Sequence, residues 1–163
     1  MQKIAQFMKV SRAQFEADWE FDLANPYDQI ALPRRGTAGS AGYDFFSPLD
    51  FTLEPGQFIR IPTGIRARID DGWVLTIYPR SGQGFKYRVQ LYNSVGVIDA
   101  DYFGAKNEGH IQIKIVNANT EGKTLSVKQG EAFAQGIFLP FGVTIDDDAT
   151  EERTGGFGST DRR

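Results

Sequence analysis

The sequence predicts an all-β fold of the sandwich or barrel type. From Ala41 onward, short apolar runs alternate with turn signals such as Asp70–Gly72. Short strands at regular spacing, separated by Gly, Pro and Asp, are typical of this fold class. Further along the chain, Ile111, Ile113 and Ile115 alternate with polar residues, which is the period of a strand with one buried face.

The predicted strands follow one another along most of the chain. The first is expected to be an edge strand, and the last is expected to be buried because it is apolar almost throughout. In chain order, the predicted strands are residues 1–9, Phe45-Phe46, Phe51–Leu53, Phe58–Ile61, Ile65–Ile69, Trp73–Tyr78, 111–115 and Phe133–Phe141.

One helix is predicted, from Ser11 to Glu20. Ser11 and Gln14 have the spacing of a capping box, and Val10 with Phe15 forms the hydrophobic staple around it. These local signals place a short helix between the first strand and the β-rich remainder of the chain.

Composition limits the chemistry that the chain can carry out. The 163 residues suit one domain with a core, and the absence of cysteine excludes disulfides, thiolate metal sites and a cysteine nucleophile. With His110 as the one histidine, a metal would have to be a hard cation held by oxygen, such as Mg²⁺ bound mainly by substrate phosphates.

Charge and hydropathy indicate the class of partner. The net charge of -3 does not favour duplex nucleic-acid binding, for which proteins are usually basic. A small anionic ligand in a local basic pocket fits better. The N-terminus lacks the apolar run of a signal peptide, and no stretch is long enough to span a bilayer. We therefore expect a cytoplasmic protein without a membrane contact.

The chain is predicted to divide into one β domain, residues 1–144, and a C-terminal arm, residues 145–163. The arm contains runs of Asp and Glu and cannot bury a core. It then presents Phe157 among glycines and hydroxyl residues, within Gly155–Thr160. Two interpretations stay open: an ordinary flexible terminus, or an arm that closes over a bound ligand.

The segment from Asn93 to Gly104 contains the most distinctive pattern. It is predicted to form a glycine-opened hairpin in which Gly96 and Gly104 adopt backbone geometry that side chains disfavour. Asp99 follows two β-branched residues, and Tyr102 lies one turn further on. Asp99 could be an ordinary turn residue or a functional acid.

Three further segments carry candidate site residues. Pro79–Gly82 follows a predicted strand and offers an arginine fork and a hydroxyl that could bind phosphate oxygens, although such a segment can also be a plain turn. The other two are Ala41–Asp44 and Gly130–Gln135.

Taken in order, these segments and Gly155–Thr160 resemble the five motifs of the trimeric dUTPases, deoxyuridine triphosphate nucleotidohydrolases. The resemblance covers roughly residues 37–160, and Asn107–His110 resembles the subgroup of Gram-positive bacteria and their phages. It implies a distorted, jelly-roll-like β-barrel. It also implies hydrolysis of dUTP to dUMP and pyrophosphate with Mg²⁺, which keeps uracil out of DNA and supplies dUMP for thymidylate synthesis.

The resemblance also implies roles for individual residues. Asp99 would orient and deprotonate the water that attacks the α-phosphorus in line, and Tyr102 would stack under the deoxyribose and exclude a 2′-hydroxyl. Asp44 would support the water shell of Mg²⁺ or an arginine. The remaining substrate-binding positions implied are Arg80, Ser81 and Gly82 on the phosphates, Asn93, Gly96, Val97 and Ile98 on the uracil edge, Gln112 as a backbone contact, Gln135 at the α-phosphate, and Arg153, Phe157, Gly158, Ser159 and Thr160 in the arm.

Members of the family bind substrate between the subunits of a homotrimer, and a neighbour supplies the arm. The present sequence departs from the family pattern at several positions. Ala132 replaces the usual arginine of the fourth motif, and Asp161 replaces a glycine at the end of the fifth. Arg153 lies four residues before Phe157 rather than five, and about five extra residues, Ala105–Gly109, follow the third motif.

Two alternatives remain. A dCTP deaminase, or a bifunctional relative on the same fold, would need a glutamate near the third motif, where the insertion offers only Glu108. A phage-type regulatory dUTPase would bind a protein partner, for which the N-terminal helix and the 105–109 turn are the candidate features.

Overall fold

Twelve strands and two short α-helices make up residues 1–150 of the computed structural model, the part of the chain that the structure describes. The all-β prediction is confirmed. In chain order the elements are β1 Ala5–Lys9, α1 Arg12–Asp18, β2 Arg34–Arg35, β3 Tyr43–Phe46, β4 Phe51–Leu53, β5 Phe58–Pro62, β6 Ile65–Ile69, β7 Trp73–Pro79, α2 Ser81–Tyr87, β8 Val89–Leu91, β9 Gly96–Ile98, β10 Gln112–Asn117, β11 Leu125–Val127 and β12 Ala132–Pro140, with 3-10 turns at Tyr27–Gln29 and Ala100–Gly104.

Within residues 1–150 the strands form antiparallel sheets of five, three, two and two strands. The largest has the order β2-β3-β12-β7-β9, the next has the order β5-β10-β8, and β1-β6 and β4-β11 form the two pairs. The last strand, β12, therefore lies in the centre of the largest sheet, where it pairs with β7 from Ala134 opposite Pro79 to Pro140 opposite Trp73. This long pairing fixes the positions of the chain segments at both ends of β7.

The core lies between the sheets and is rich in aromatic and branched side chains. Phe15, Phe45 and Phe133 are fully buried, and truncating a buried Phe to Ala typically costs about 3–5 kcal/mol. Gly136 in β12 leaves space for this packing, since a Cβ there would lie 2.8 Å from a methyl carbon of Leu75 and 3.0 Å from the Phe45 ring.

The N-terminal helix is confirmed, but α1 ends at Asp18 rather than Glu20. The hydroxyl of Ser11 caps it by accepting a hydrogen bond from the backbone N–H of Gln14 at 3.1 Å. The reciprocal half of the capping box does not form, because the N–H of Ser11 donates instead to the carboxylate of Glu108 at 2.7 Å. The helix start is thus completed by a residue that lies 97 positions later in the sequence.

Helix α2 was not predicted, and neither were the short strands β2, β8 and β11. Helix α2 follows Arg80 directly, where the sequence suggested only a turn. Gly82 and Gly84 lie within it, and each interior glycine lowers helix propensity by about 1 kcal/mol relative to alanine. Arg88 ends the helix in the left-handed conformation, with φ 53°, and donates its N–H back to the carbonyls of Gln83 and Gly84.

The chain beyond β12 forms no further strand up to residue 150, and its residues are exposed. The division into a domain at residues 1–144 and an arm at residues 145–163 stays a prediction. Among residues 1–150, no helix combines the length and the apolar character needed to cross a membrane.

Candidate active site

Three of the predicted motifs meet at one end of the five-stranded sheet. Asp44 of β3 lies opposite Gln135 of β12, which lies opposite Tyr78 of β7. Arg80 follows β7 at the same level, and its Nε lies 3.1 Å from the Asp44 carboxylate. Strand pairing therefore brings together the acid, the arginine and the amide that are expected to serve the phosphates and Mg²⁺.

The Asp44–Arg80 ion pair lies at the surface. The side chains of Arg80 and Asp44 remain 43% and 23% exposed, and pairs of this kind contribute at most about 1 kcal/mol to stability. Its main effect is to orient the guanidinium through Nε, which leaves the other donors of Arg80 available to an anion. Ser81 and Gly82, the first residues of α2, are exposed beside it.

The amide of Gln135 is held in place by two neighbours. Its Nε2 donates to the carbonyl of Pro79 at 3.0 Å. Its Oε1 lies over Gly42, where a Cβ would come within 2.7 Å of that oxygen. Gly42 therefore provides the space in which the Gln135 amide lies.

The segment after β8 differs from the predicted hairpin. Strands β8 and β9 belong to different sheets, so the residues between them connect the two sheets, with one bridge between Leu91 and Ser94. The left-handed residue is Ser94, at φ 69°, whereas Gly96 and Gly104 do not have positive φ. Gly96 is required for space instead, because a Cβ there would lie 3.0 Å from Ile77. The prediction that Gly96 and Gly104 supply special backbone geometry is wrong.

Strand β9 is the last strand of the five-stranded sheet within the described residues. An edge strand presents backbone donors and acceptors on its outer side, which suits the predicted reading of a uracil edge by Gly96, Val97 and Ile98. Val97 is 59% exposed and Asn93 is exposed beside it. Gln112 is the first residue of β10, opposite Pro62, and its backbone contact with substrate stays a prediction.

Asp99 and Tyr102 lie together directly after β9. Asp99 is the residue before the 3-10 turn, and its carbonyl accepts a hydrogen bond from the N–H of Tyr102 at 3.2 Å. The Tyr102 side chain is largely buried, at 6% exposure. Its hydroxyl donates to the carbonyl of His110 at 2.9 Å and accepts from Nδ2 of Asn107 at 2.8 Å. The tyrosine is thus fixed at its polar end.

The structure does not bring Asp99 and Arg80 together within one chain. Ile98 pairs with Leu75, so Asp99 lies beside Val74, six residues before Arg80 along β7. At about 3.3 Å per residue the two levels are roughly 20 Å apart. The Arg80 guanidinium is also drawn toward Asp44 of β3, away from β9.

Sequence reasoning missed the residues that support Tyr102. His110 is fully buried and is structural, with its Nδ1 at 2.5 Å from Asp18 and its Nε2 accepting the N–H of Gly64 at 2.8 Å. Burial lowers the pKa of His110, and the Gly64 hydrogen bond likewise requires a neutral ring that is protonated on Nδ1. The insertion before β10 was the available signal, but its partners are distant in sequence.

Glu108 of the insertion is held as an anion. Its two carboxylate oxygens accept from the N–H and from the hydroxyl of Ser11, at 2.7 and 2.6 Å. The Ser11 hydroxyl and then the Ser11 N–H lower the pKa of Glu108. This carboxylate is therefore committed to α1.

A protein-made metal site does not occur in the described part of the chain, where no three His, Asp or Glu side chains lie together. Of these acids, Asp44 alone lies beside the residues that are predicted to bind phosphate, which fits a role in supporting waters of a cation that phosphates hold. The five arm positions Arg153, Phe157, Gly158, Ser159 and Thr160 lie outside the described residues.

Comparisons with known proteins assign the family. The dUTPase family profile matches residues 28–161. The deoxyuridine 5'-triphosphate nucleotidohydrolase of Lactococcus lactis is 41% identical over 145 residues, which cover 86% of this chain and 95% of that protein. The corresponding Desulfitobacterium hafniense protein is 39% identical over 137 residues, covering 79% and 86% of the two chains.

Solved structures agree with this assignment. The crystal structure of dUTPase from Streptococcus mutans superposes with a TM-score of 0.64 at 34% identity, over 86% of this chain and 98% of that chain. A dUTPase of S. aureus phage phi11 shares the fold, with a TM-score of 0.64 over 91% and 98% of the two chains at 21% identity. The chain therefore belongs to the dUTPase family.

Proposed function

We propose that this chain, a dUTP diphosphatase by family, cleaves dUTP to dUMP and pyrophosphate through in-line attack of a water that Asp99 orients and deprotonates. The observation that carries the proposal is the placement of Asp99 at the start of the 3-10 turn that contains Tyr102, where one carboxylate can serve both a water and the adjoining sugar. A positioned general base contributes about 10²–10⁴-fold to rate. The Lactococcus and Streptococcus relatives bear the name of this activity.

The phosphates are bound by the cluster of Asp44, Arg80 and Gln135, with Ser81 and Gly82 beside it. Phosphoryl transfer depends mainly on positioning and on neutralisation of charge. The free donors of Arg80 supply positive charge, and the Gln135 amide faces the α-phosphate or its water shell. Mg²⁺ would be held mainly by the phosphates and would neutralise their charge when bound, with Asp44 supporting its waters. The dUTPase of phage phi11 is described as coordinating a structural Mg(II) ion.

The complete site is shared between chains of a homotrimer. Asp99 and Arg80 lie at opposite ends of β7, too far apart to act on one triphosphate, because reacting groups must lie within hydrogen-bond reach of it. A neighbouring chain that presents its Arg80 end to the Asp99 end of the first removes this separation. The arm, residues 145–163, would close the site, with Phe157 stacked on the uracil and with Arg153, Ser159 and Thr160 near the γ-phosphate.

Selectivity would come from the Asn93–Tyr102 segment. The exposed edge of β9 offers the backbone of Gly96–Ile98 to the uracil, and Asn93 adds a side-chain amide. The buried Tyr102 ring, fixed through its hydroxyl, would leave no space for a 2′-hydroxyl. We place this reaction in the cytoplasm, where it would keep uracil out of DNA and supply dUMP for thymidylate synthesis.

The test is a pair of matched substitutions in one turn. Asp99→Asn is expected to lower kcat by about 10²–10⁴ while binding of the non-hydrolysable analogue dUpNHpp stays within a few-fold. Asp101→Asn, which makes the same change at an exposed position two residues on, is expected to keep the wild-type rate. If Asp99→Asn retained more than about a tenth of the rate, a loss of under ~1.4 kcal/mol, Asp99 would not be the base.

The deaminase alternative loses its candidate residue. Both oxygens of Glu108 bind Ser11, so this carboxylate is not directed to a substrate. Release of ammonia from dCTP would nevertheless contradict the proposal. The regulatory alternative stays a prediction: α1 and the 105–109 turn, its two candidate docking features, contact each other through Ser11 and Glu108. A pull-down with and without dUTP would test it.

A further inference from the structure

The turn that follows Tyr102 is held from outside by both ends of α1. At the start of the helix, Ser11 donates its N–H and its hydroxyl to Glu108. At its end, Asp18 accepts from Nδ1 of His110 at 2.5 Å. These contacts join residues that are 97 and 92 positions apart in the sequence. A helix outside the phosphate-binding cluster is therefore tied to the predicted sugar pocket.

The same turn, residues 107–110, also contacts Tyr102 directly. The Tyr102 hydroxyl is bonded by Asn107 and by the carbonyl of His110. The backbone is packed equally closely, because a Cβ on Gly109 would lie 2.6 Å from the carbonyl oxygen of Tyr102 and 2.9 Å from the Cα of Phe103. A shift of residues 107–110 must therefore move the tyrosine.

The turn contains backbone strain that an outside partner can offset. Glu108 and Gly109 are consecutive left-handed residues, at φ 59° and 69°, and the left-handed conformation is unfavourable for a residue that carries a side chain. Glu108 is the strained one, and its carboxylate makes the double contact with Ser11. Arg66 adds a second support by donating to the carbonyl of Phe103 at 2.6 Å.

His110 is the second link. Its two ring nitrogens are both used, one on Asp18 and one on the N–H of Gly64. Its carbonyl binds the Tyr102 hydroxyl. One buried residue thus connects the last residue of α1, the residue before β6 and the tyrosine.

We propose that α1 braces the Tyr102 turn through Glu108 and His110, and that these two are positioning residues for discrimination between deoxyribose and ribose. The inference rests on the proposed role of Tyr102 against the sugar. In this arrangement the helix and the turn act together: Glu108 of the 105–109 insertion and the following His110 make the contacts, and the helix supplies their partners. If the contact at either end of α1 is lost, the Tyr102 ring can shift and make room for a 2′-hydroxyl.

The experiment compares kcat/KM for dUTP and UTP, since the ratio of these constants measures discrimination. The variants are Glu108→Ala, Glu108→Gln, which keeps the size and one acceptor, and Tyr102→Phe, which keeps the ring but removes the hydroxyl. The matched control is Arg12→Gln, which removes an exposed ion pair with Asp28 on the same helix and leaves the contacts to the turn intact.

Glu108→Ala and Tyr102→Phe are expected to lower the dUTP-to-UTP ratio by about tenfold, less than the roughly hundredfold that a 1 Å misplacement can cost. The ratio for Glu108→Gln should lie between the ratios of these two variants and that of the wild type. Arg12→Gln should keep the wild-type ratio. An unchanged ratio for soluble, folded Glu108→Ala and Glu108→Gln would overturn the brace.

Tyr102→Ala separates the brace from the function on which it rests. If Tyr102→Ala lowers the ratio and both Glu108 variants leave it unchanged, the brace is wrong and the tyrosine's role stands. If Tyr102→Ala also leaves the ratio unchanged, both the tyrosine's role and the brace are wrong. Hydrolysis of dUTP itself, which depends on Asp99, is measured in the same assays.

Discussion

Mixed oligomers of two inactive variants, Arg80→Ala and Asp99→Asn, should be active. Arg80→Ala removes the guanidinium proposed to bind phosphate, and Asp99→Asn removes the proposed base. Loss of one charge-stabilising donor costs about 10²–10³ in rate, and loss of the base costs a similar or larger factor. Each variant alone should therefore retain about 1% of the activity or less.

The expected recovery follows from the strand register. Since Asp99 and Arg80 of one chain lie at opposite ends of β7, each site of the proposed trimer would take its Asp99 from one chain and its Arg80 from a neighbour. In a random one-to-one mixture, the first chain has an intact Asp99 half of the time and the neighbour has an intact Arg80 half of the time. About a quarter of the sites in closed symmetric rings are then intact.

The assay is pyrophosphate release after the two variants are unfolded and refolded together, beside each variant refolded alone. Recovery near a quarter of the refolded wild-type rate is expected, against a background of about a hundredth. Recovery that stays at the background in verified mixed oligomers would refute the shared site. It would also show that Asp99 and Arg80 of the same chain act on one substrate despite their separation along β7.

Three further outcomes are expected. Gly64→Ala should lower the free energy of unfolding, measured by urea titration, by about 2–4 kcal/mol. The reason is that φ of Gly64 is 74° and that the new Cβ would lie 2.3 Å from the Ile30 side chain. A loss below about 1 kcal/mol would contradict this packing. Burial lowers the pKa of His110 below 6.5, so at acidic pH the unfolded chain binds more protons than the folded chain. The free energy of unfolding should therefore fall by up to about 1 kcal/mol as the pH is lowered from 7.5 to 5.5. Glu108, whose pKa is also lowered, stays ionised in that window, and a persisting slope in His110→Gln would assign the effect elsewhere. EDTA should lower kcat/KM by more than about a hundredfold, because a phosphate-bound metal supplies several kcal/mol, but should leave the melting temperature of the nucleotide-free protein unchanged; a lower melting temperature would indicate a structural metal.

Most of the longer strands were predictable because their signals are local, whereas the short strands β2, β8 and β11 were not predicted. Phe51–Leu53 and Ile65–Ile69 match the observed β4 and β6 to the residue, since alternation and turn residues mark both ends. Helix α2 was not predictable in the same way, because its two glycines oppose a helix. Its tertiary setting, directly after β7, overrides that local preference.

The candidate site was predictable only through motif resemblance. No local pattern reveals that Asp44, Arg80 and Gln135 meet, because their convergence depends on β12 pairing with both β3 and β7. The role of Glu108 was equally hidden, since its partner Ser11 lies 97 residues away. The expectation for Gly96 failed on a physical detail: the glycine serves close packing against Ile77 rather than an unusual φ.

The central position of β12 has a consequence for synthesis on the ribosome. Strands β3 and β7 leave the ribosome long before their shared partner, Ala132–Pro140, has been translated. Until then the two nascent segments have unpaired edges that face other chains, a state prone to aggregation. The main sheet can close only after β12 has been translated, and such non-local pairing favours folding in milliseconds to seconds.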